Sequence, residues 1–89
     1  MAEESETWSN GPGYTYPPHA HDYRKTLVCM KGSLRVTLHM KNGERFVQLE
    51  VGDFVDIPAR TMHSMVVGPQ GVTCSETHHR DLKSRRPAL

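Results

Sequence analysis

The chain is poor in several features that would have declared its class at once. Two cysteines, Cys29 and Cys74, are too few for a disulfide scaffold or a four-cysteine zinc site. Neither sign of charge dominates, since eleven Lys+Arg against ten Asp+Glu leave +1. Proteins that grip nucleic acid or an anionic membrane surface usually carry a strong basic excess, so neither partner is expected. No apolar run approaches the roughly 20 residues of a membrane-spanning helix. The start, Met1-Ala-Glu-Glu-Ser-Glu, is acidic where a secretory signal is basic and then apolar, so a cytoplasmic location is the expectation. Length is short as well: 89 residues make one small domain with a thin core.

What the chain does have is histidine. Six occur in 89 residues, and two of them are two apart, His19-Ala20-His21. In an extended strand, residues i and i+2 point to the same side, about 6.5–7 Å apart along the chain. Two imidazoles so placed can converge on one ion, at about 2.0–2.2 Å from each nitrogen.

The punctuation is that of an all-β protein. Gly or Pro recurs at 11–13, 17–18, 32, 43, 52, 58, 68–69 and 71, with β-rich segments between. No stretch from 14 to 77 keeps an apolar period of 3.6, so no substantial helix is expected there. The pattern predicts strands at 14–16, 19–23, 26–30, 33–40, 45–51, 54–57, 63–67 and 72–77. Eight short strands without covering helices imply two packed sheets or a closed barrel, whose edges make a homodimer the expected assembly. Residues 1–10 read as a flexible N-terminal arm, 11–79 as the barrel, and 80–89 as a C-terminal tail.

Asn42-Gly43 predicts a hairpin with a two-residue type I′ turn. That register places Leu38 opposite Val47, Val36 opposite Leu49 and Leu34 opposite Val51 on one apolar face. Arg35 then faces Glu50 as an ion pair, and His39 lies on the polar side opposite Phe46. His39 is therefore expected at the surface. His78 and His79 point to opposite sides of a strand end and are also expected to be exposed. The basic residues between Arg80 and Arg86 lack interleaved aromatics and read as a solvated tail. Met30, Met40, Met62 and Met65 are expected in core and rim packing. Cys29 and Cys74 are not expected to form a disulfide in a reducing compartment.

Two spacings carry further information. The first is Gly13-x5-His19-x-His21-x3-Lys25-x6-Gly32; the second is Gly52-x5-Pro58-x-Arg60-x2-His63. They resemble the two motifs of the cupin superfamily: Gly-x5-His-x-His-x3–4-Glu-x6-Gly and Gly-x5-Pro-x-Gly-x2-His-x3-Asn. The nineteen residues between Gly32 and Gly52 match a short inter-motif insert, and the resemblance spans Gly13 to about Thr77. It implies a single-domain double-stranded β-helix, the cupin jelly-roll barrel. It also implies that His19, His21 and His63 are metal ligands projecting into that barrel, for one divalent transition ion: iron, zinc, nickel, manganese or copper.

The departures from the family pattern are as informative. Its acidic ligand position is Lys25 here, its second-motif glycine is Arg60, and its final asparagine is Val67. An ammonium a few ångströms from a divalent ion is strongly repelled in a low-dielectric cavity. Three outcomes are open: Lys25 loses its proton, it swings away to a carboxylate, or the pocket holds an anion and no metal. Glu76 is the available carboxylate, while Asp22 should face the opposite side.

Strand parity puts Tyr23 and Cys29 on the histidine side with Lys25. Lys25 is the candidate catalytic residue, and Tyr23, Cys29, Arg60 and Glu76 are the candidate substrate-binding residues. Three imidazoles leave coordination positions open, the condition for catalysis. The resemblance then points to an iron-type dioxygenase, or to a metal-assisted isomerase or lyase, acting on a small molecule. The reading from another class is a non-catalytic module that uses the same pocket and Lys25 to hold a small anion.

Overall fold

Two of the predicted strand pairs are single strands, because two glycines let the backbone turn a corner without leaving its hydrogen-bond ladder. The computed structural model describes residues 3–79; the expected tail at 80–89 lies outside them. Six strands are present: β1 (Glu3–Asn10), β2 (Thr15–His19), β3 (Arg24–Met40), β4 (Gly43–Leu49), β5 (Phe54–Ile57) and β6 (Met62–His79). The segments 26–30 and 33–40 merge into β3, and 63–67 and 72–77 into β6.

Burial shows where each long strand bends. Along β3, Lys25, Leu27 and Cys29 are buried, and then Leu34, Val36 and Leu38: the inward parity changes across Gly32. Along β6, His63, Met65 and Val67 give way to Val72, Cys74 and Glu76 across the Gly68–Gly71 segment. Gly32 and Gly71 both have positive φ, 71° and 81°. A Cβ at Gly32 would stand 1.9 Å from the Gly71 carbonyl oxygen, so only glycine permits this approach.

The double bend makes two layers from one sheet. β1 pairs with the C-terminal half of β6, which pairs with the N-terminal half of β3, which pairs with β5. β2 pairs with the N-terminal half of β6, which pairs with the C-terminal half of β3, which pairs with β4. All these pairings are antiparallel, and the inward side chains of both layers meet in one core built around Leu27, Leu34, Val36, Leu49, Ile57 and Val67. This is the all-β jelly-roll barrel that the resemblance to the cupin motifs implies.

Several expectations are corrected. Residues 3–10 are no loose arm: β1 is laddered to β6 from Glu3↔His79 to Asn10↔Val72. Its polar residues are there to pair across the ladder, as Ser5–Thr77 and Ser9–Thr73 do, and Trp8 packs on the core edge-on to Tyr16 of β2, 5.4 Å between centroids.

The hairpin is also shifted by two residues. Met40 pairs with Gly43, so Lys41 and Asn42 form the turn, and neither takes the positive φ that a type I′ turn requires. The shift is even, so the apolar face survives as Leu34↔Leu49 and Val36↔Val47. Arg35 meets Gln48 rather than Glu50, and its guanidinium sits 5.9 Å over the Phe46 ring. His39 faces Glu44 and is half-buried between Glu44 and Ser64. Of the four methionines assigned to core or rim packing, Met65 is buried, and Met30, Met40 and Met62 are exposed.

The bend yields a stability prediction. Gly32→Ala should cost about 3 kcal/mol, from the left-handed backbone and the carbonyl clash together. Gly11→Ala, where a Cβ meets open space, should stay within about 0.5 kcal/mol. Urea unfolding midpoints of the two variants check the contrast.

Candidate metal centre

His19 closes β2, His21 sits in the short connection that follows, and His63 lies opposite His19 in the β2–β6 ladder. The predicted strand 19–23 is therefore interrupted: the backbone leaves the ladder after His19 and re-enters at Arg24. The convergence survives because the Pro58–Thr61 turn holds the connection. Arg60 N–H donates to the His21 carbonyl at 2.5 Å. Arg60 makes that turn with φ at 60°, the conformation for which the family motif keeps a glycine at this position.

The three imidazoles form one cluster. Centroid separations are 4.4 Å for His19–His63, 4.9 Å for His19–His21 and 5.6 Å for His21–His63. One ligand nitrogen from each lies within 4.8 Å of the others, so modest ring rotations bring them to a common ion.

Backbone carbonyls set the tautomers. His19 Nδ1–H donates to the Pro17 oxygen at 2.8 Å, and His63 Nδ1–H donates to the Thr61 oxygen at 2.9 Å. A carbonyl can only accept, so the proton sits on Nδ1 and the lone pair on Nε2, as in histidines oriented for a metal. His63 Nε2 is buried with no hydrogen-bond partner, although buried polar atoms are nearly always paired. An ion at that lone pair satisfies it, and the donor set of three imidazoles suits a divalent transition metal.

Burial, followed by the nearby Lys25 and histidine charges, drives His63 down to a pKa of about 4, against a partial counter-effect from Thr61. His21 is lowered too, first by burial and then by Lys25.

Lys25 is buried, and its Nζ lies 3.5 Å from His21 Nε2 and 3.6 Å from Glu76 Oε2. The parity-based contact between Lys25 and Glu76 is thus present. Glu76 also accepts from Trp8 Nε1–H at 2.9 Å and contacts His78 Nε2 at 2.5 Å. Burial alone would raise the Glu76 carboxyl, but His78, Lys25 and Trp8 together hold it below its usual range. These groups, with His19, His21, Tyr23 and Tyr16, line a cavity of about 470 Å³, and His63 lies fully buried behind it. That volume suits a small molecule.

Not every candidate belongs to this cavity. Tyr23 does, with its ring stacked on His21 at 5.0 Å. Cys29 does not: it is a core residue lying opposite Cys74, both thiols are free, and burial pushes both upward in pKa. The parity argument located its side of the strand correctly but not its depth, which lies toward the bend. The exposed Arg60 side chain borders a separate hollow with Asp22 and Arg24, so only its backbone serves the histidines.

Two residues escaped the sequence reading. Trp8 was hidden in the supposed arm. His78 was expected to be exposed, yet it is half-buried against Tyr23 and Glu76. The available signal was its shared parity with Glu76. His79 is also half-buried, on the other side of the strand, where it meets Thr26.

Fold and site thus define a small double-stranded β-helix with three histidines at one end of its cavity. No protein-family model matches the chain, and no curated protein matches it. Solved structures do. Oxalate decarboxylase of Bacillus subtilis at pH 4.6 superposes with a TM-score of 0.80 at 22% identity, over 85% of this chain. A second structure, from work on the Mn(II) centres of the same enzyme, gives 0.79 at 22% identity and 85% coverage. The chain spans about one fifth of the length of the decarboxylase chains, 20% in each case. At this identity the likeness concerns the fold, and the fold is that of the cupins.

Two predictions follow from the electrostatics. Well above pH 6.5 His63 is neutral in both folded and unfolded chains and its titration has no effect on stability. As pH falls toward 4 the unfolded chain takes up a proton that the folded one refuses. The metal-free protein should therefore lose up to about 3 kcal/mol over that window, with His21 adding in the same sense. Glu76 adds a further loss below about pH 4.5 as its carboxylate is protonated. Urea midpoints measured against pH should show the first limb flattened in His63→Asn. Separately, Glu76→Gln should cost about 3–5 kcal/mol by leaving Lys25 buried and unpaired, and Lys25→Gln/Glu76→Gln should recover most of it. Thermal unfolding of the two variants tests this.

Proposed function

We propose that this chain is a metal-binding cupin that holds one divalent transition ion through His19, His21 and His63 and acts on a small acid. The observation that carries the reading is the lone pair of His63 Nε2, buried without a partner beside two further imidazoles whose nitrogens are within reach of the same point. An ion held there would supply Lewis acidity toward a carbonyl or carboxylate oxygen. The chain's own residues do the rest. Lys25 orients an anionic group, Glu76 holds Lys25 in place, and Trp8 and His78 anchor Glu76. Tyr23 forms one wall beside His21. Of the activities a three-histidine cupin can support, we favour a lyase or isomerase over a dioxygenase, because Lys25 offers a charged handle for an acid beside the histidines. The Mn(II) centres of the oxalate decarboxylase neighbour make manganese one candidate ion, alongside iron, zinc, nickel and copper.

The second reading is a non-catalytic module that binds a small anion without metal. One observation favours it: the Lys25 ammonium contacts His21 Nε2, one of the nitrogens an ion would need.

Elemental analysis separates the two. Protein purified without chelator or a histidine tag should contain one equivalent of a transition metal, and His63→Ala should lose it. Wild-type protein that takes up no metal under any loading condition would overturn the metal reading and favour the anion module.

A further inference from the structure

The charge inside this cavity is unusual for a cation site. Three imidazoles contribute none, and Lys25 contributes a buried positive charge within 3.5 Å of a ligand nitrogen. Glu76 is the one buried carboxylate among the described residues, and it is already committed to Lys25, Trp8 and His78. Glu6, across the ladder from Glu76, is exposed at the cavity rim. Lys25 and Glu76 cancel in total charge, but the ammonium is the member of the pair in contact with His21 Nε2, so a divalent ion at that nitrogen meets its positive end.

We propose that metal binding here depends on a small carboxylate from solution, which spans the ion and the Lys25 ammonium and supplies the negative charge that position 25 does not. The inference rests on the three-histidine reading above and adds to it a ligand class and an order of dependence. Lys25 has three N–H donors; one reaches His21 Nε2 at 3.5 Å, while Glu76 Oε2, at 3.6 Å, is an ion-pair contact beyond hydrogen-bond distance. With His21 Nε2 given to an ion, Lys25 would lose that acceptor and have N–H donors available to a ligand in the cavity it lines. A carboxylate suits the vacancy because its two oxygens can serve two partners at once, whereas a halide offers a single centre. The cavity of about 470 Å³ has room for it.

The test is a cobalt(II) titration of the full chain, followed by visible absorption and calorimetry, in acetate and in chloride at matched pH and ionic strength. Cobalt should bind about tenfold or more tightly in acetate, within the usual range of coupling between two ligands. In Lys25→Gln/Glu76→Gln, which removes both charges together, the acetate enhancement should fall below about twofold, and cobalt should bind in chloride at least as tightly as in wild type. Equal wild-type affinity in the two buffers overturns the inference and leaves the metal reading standing, as does full enhancement in the double variant. Failure to bind cobalt in either buffer overturns both.

Discussion

The approach of Gly32 to the Gly71 carbonyl is the contact on which the rest of the molecule depends. β3 and β6 are the longest strands, and each must leave one layer and enter the other at the same level. A side chain at Gly32 would meet backbone, not a movable group, so the two strands could not bend together there. Without the bend the six-stranded sheet would have one face to bury and nothing to bury it against. With it, the residues on either side of the corner exchange parity, and Leu27, Leu34, Val67 and Val72 become neighbours in one core. The histidines and Lys25 inherit their positions from the same event, because β2 carries His19 to β6 on one side of the barrel and β5 pairs with Lys25 on the other.

Within the cavity two opposite physical demands sit side by side. His63 is held as a neutral imidazole with an unanswered lone pair, which favours a cation. Lys25 is a buried cation held by a carboxylate, which favours an anion. Neither side chain is there by accident of exposure: both are buried, and each is supported by a further layer, Thr61 for His63 and the Trp8–Glu76–His78 group for Lys25. This pairing of demands is what the proposal of joint cation and anion binding rests on.

Much of this was legible in one dimension, and the exceptions have identifiable causes. The His-x-His pair was readable from strand parity, and His63 joined it through the resemblance of the two spacings to the cupin motifs. The Leu34, Val36 and Leu38 face was readable because a period of two survives an even shift in register, and so the hairpin could be displaced by two residues without disturbing it. The displacement itself was not readable, because Asn-Gly marks a turn without saying which pair of residues will occupy its centre. β1 was misread since a strand at a sheet edge can be almost wholly polar, with Trp8 as its one large inward residue. Cys29 was misplaced because parity fixes a side and says nothing about distance along the barrel.

From the sequence alone, alternation and turn chemistry determined an all-β chain, and strand parity put Lys25 on the side of His19 and His21 and offered Glu76 as its carboxylate. The jelly-roll topology and His63 as the third ligand came from the resemblance of two spacings to the cupin motifs. Only the tertiary structure decided that the two long strands bend together, that residues 3–10 complete a sheet, and that Trp8 and His78 both reach Glu76. Those contacts join residues far apart in sequence, and their energy depends on burial and mutual orientation, which no single segment carries.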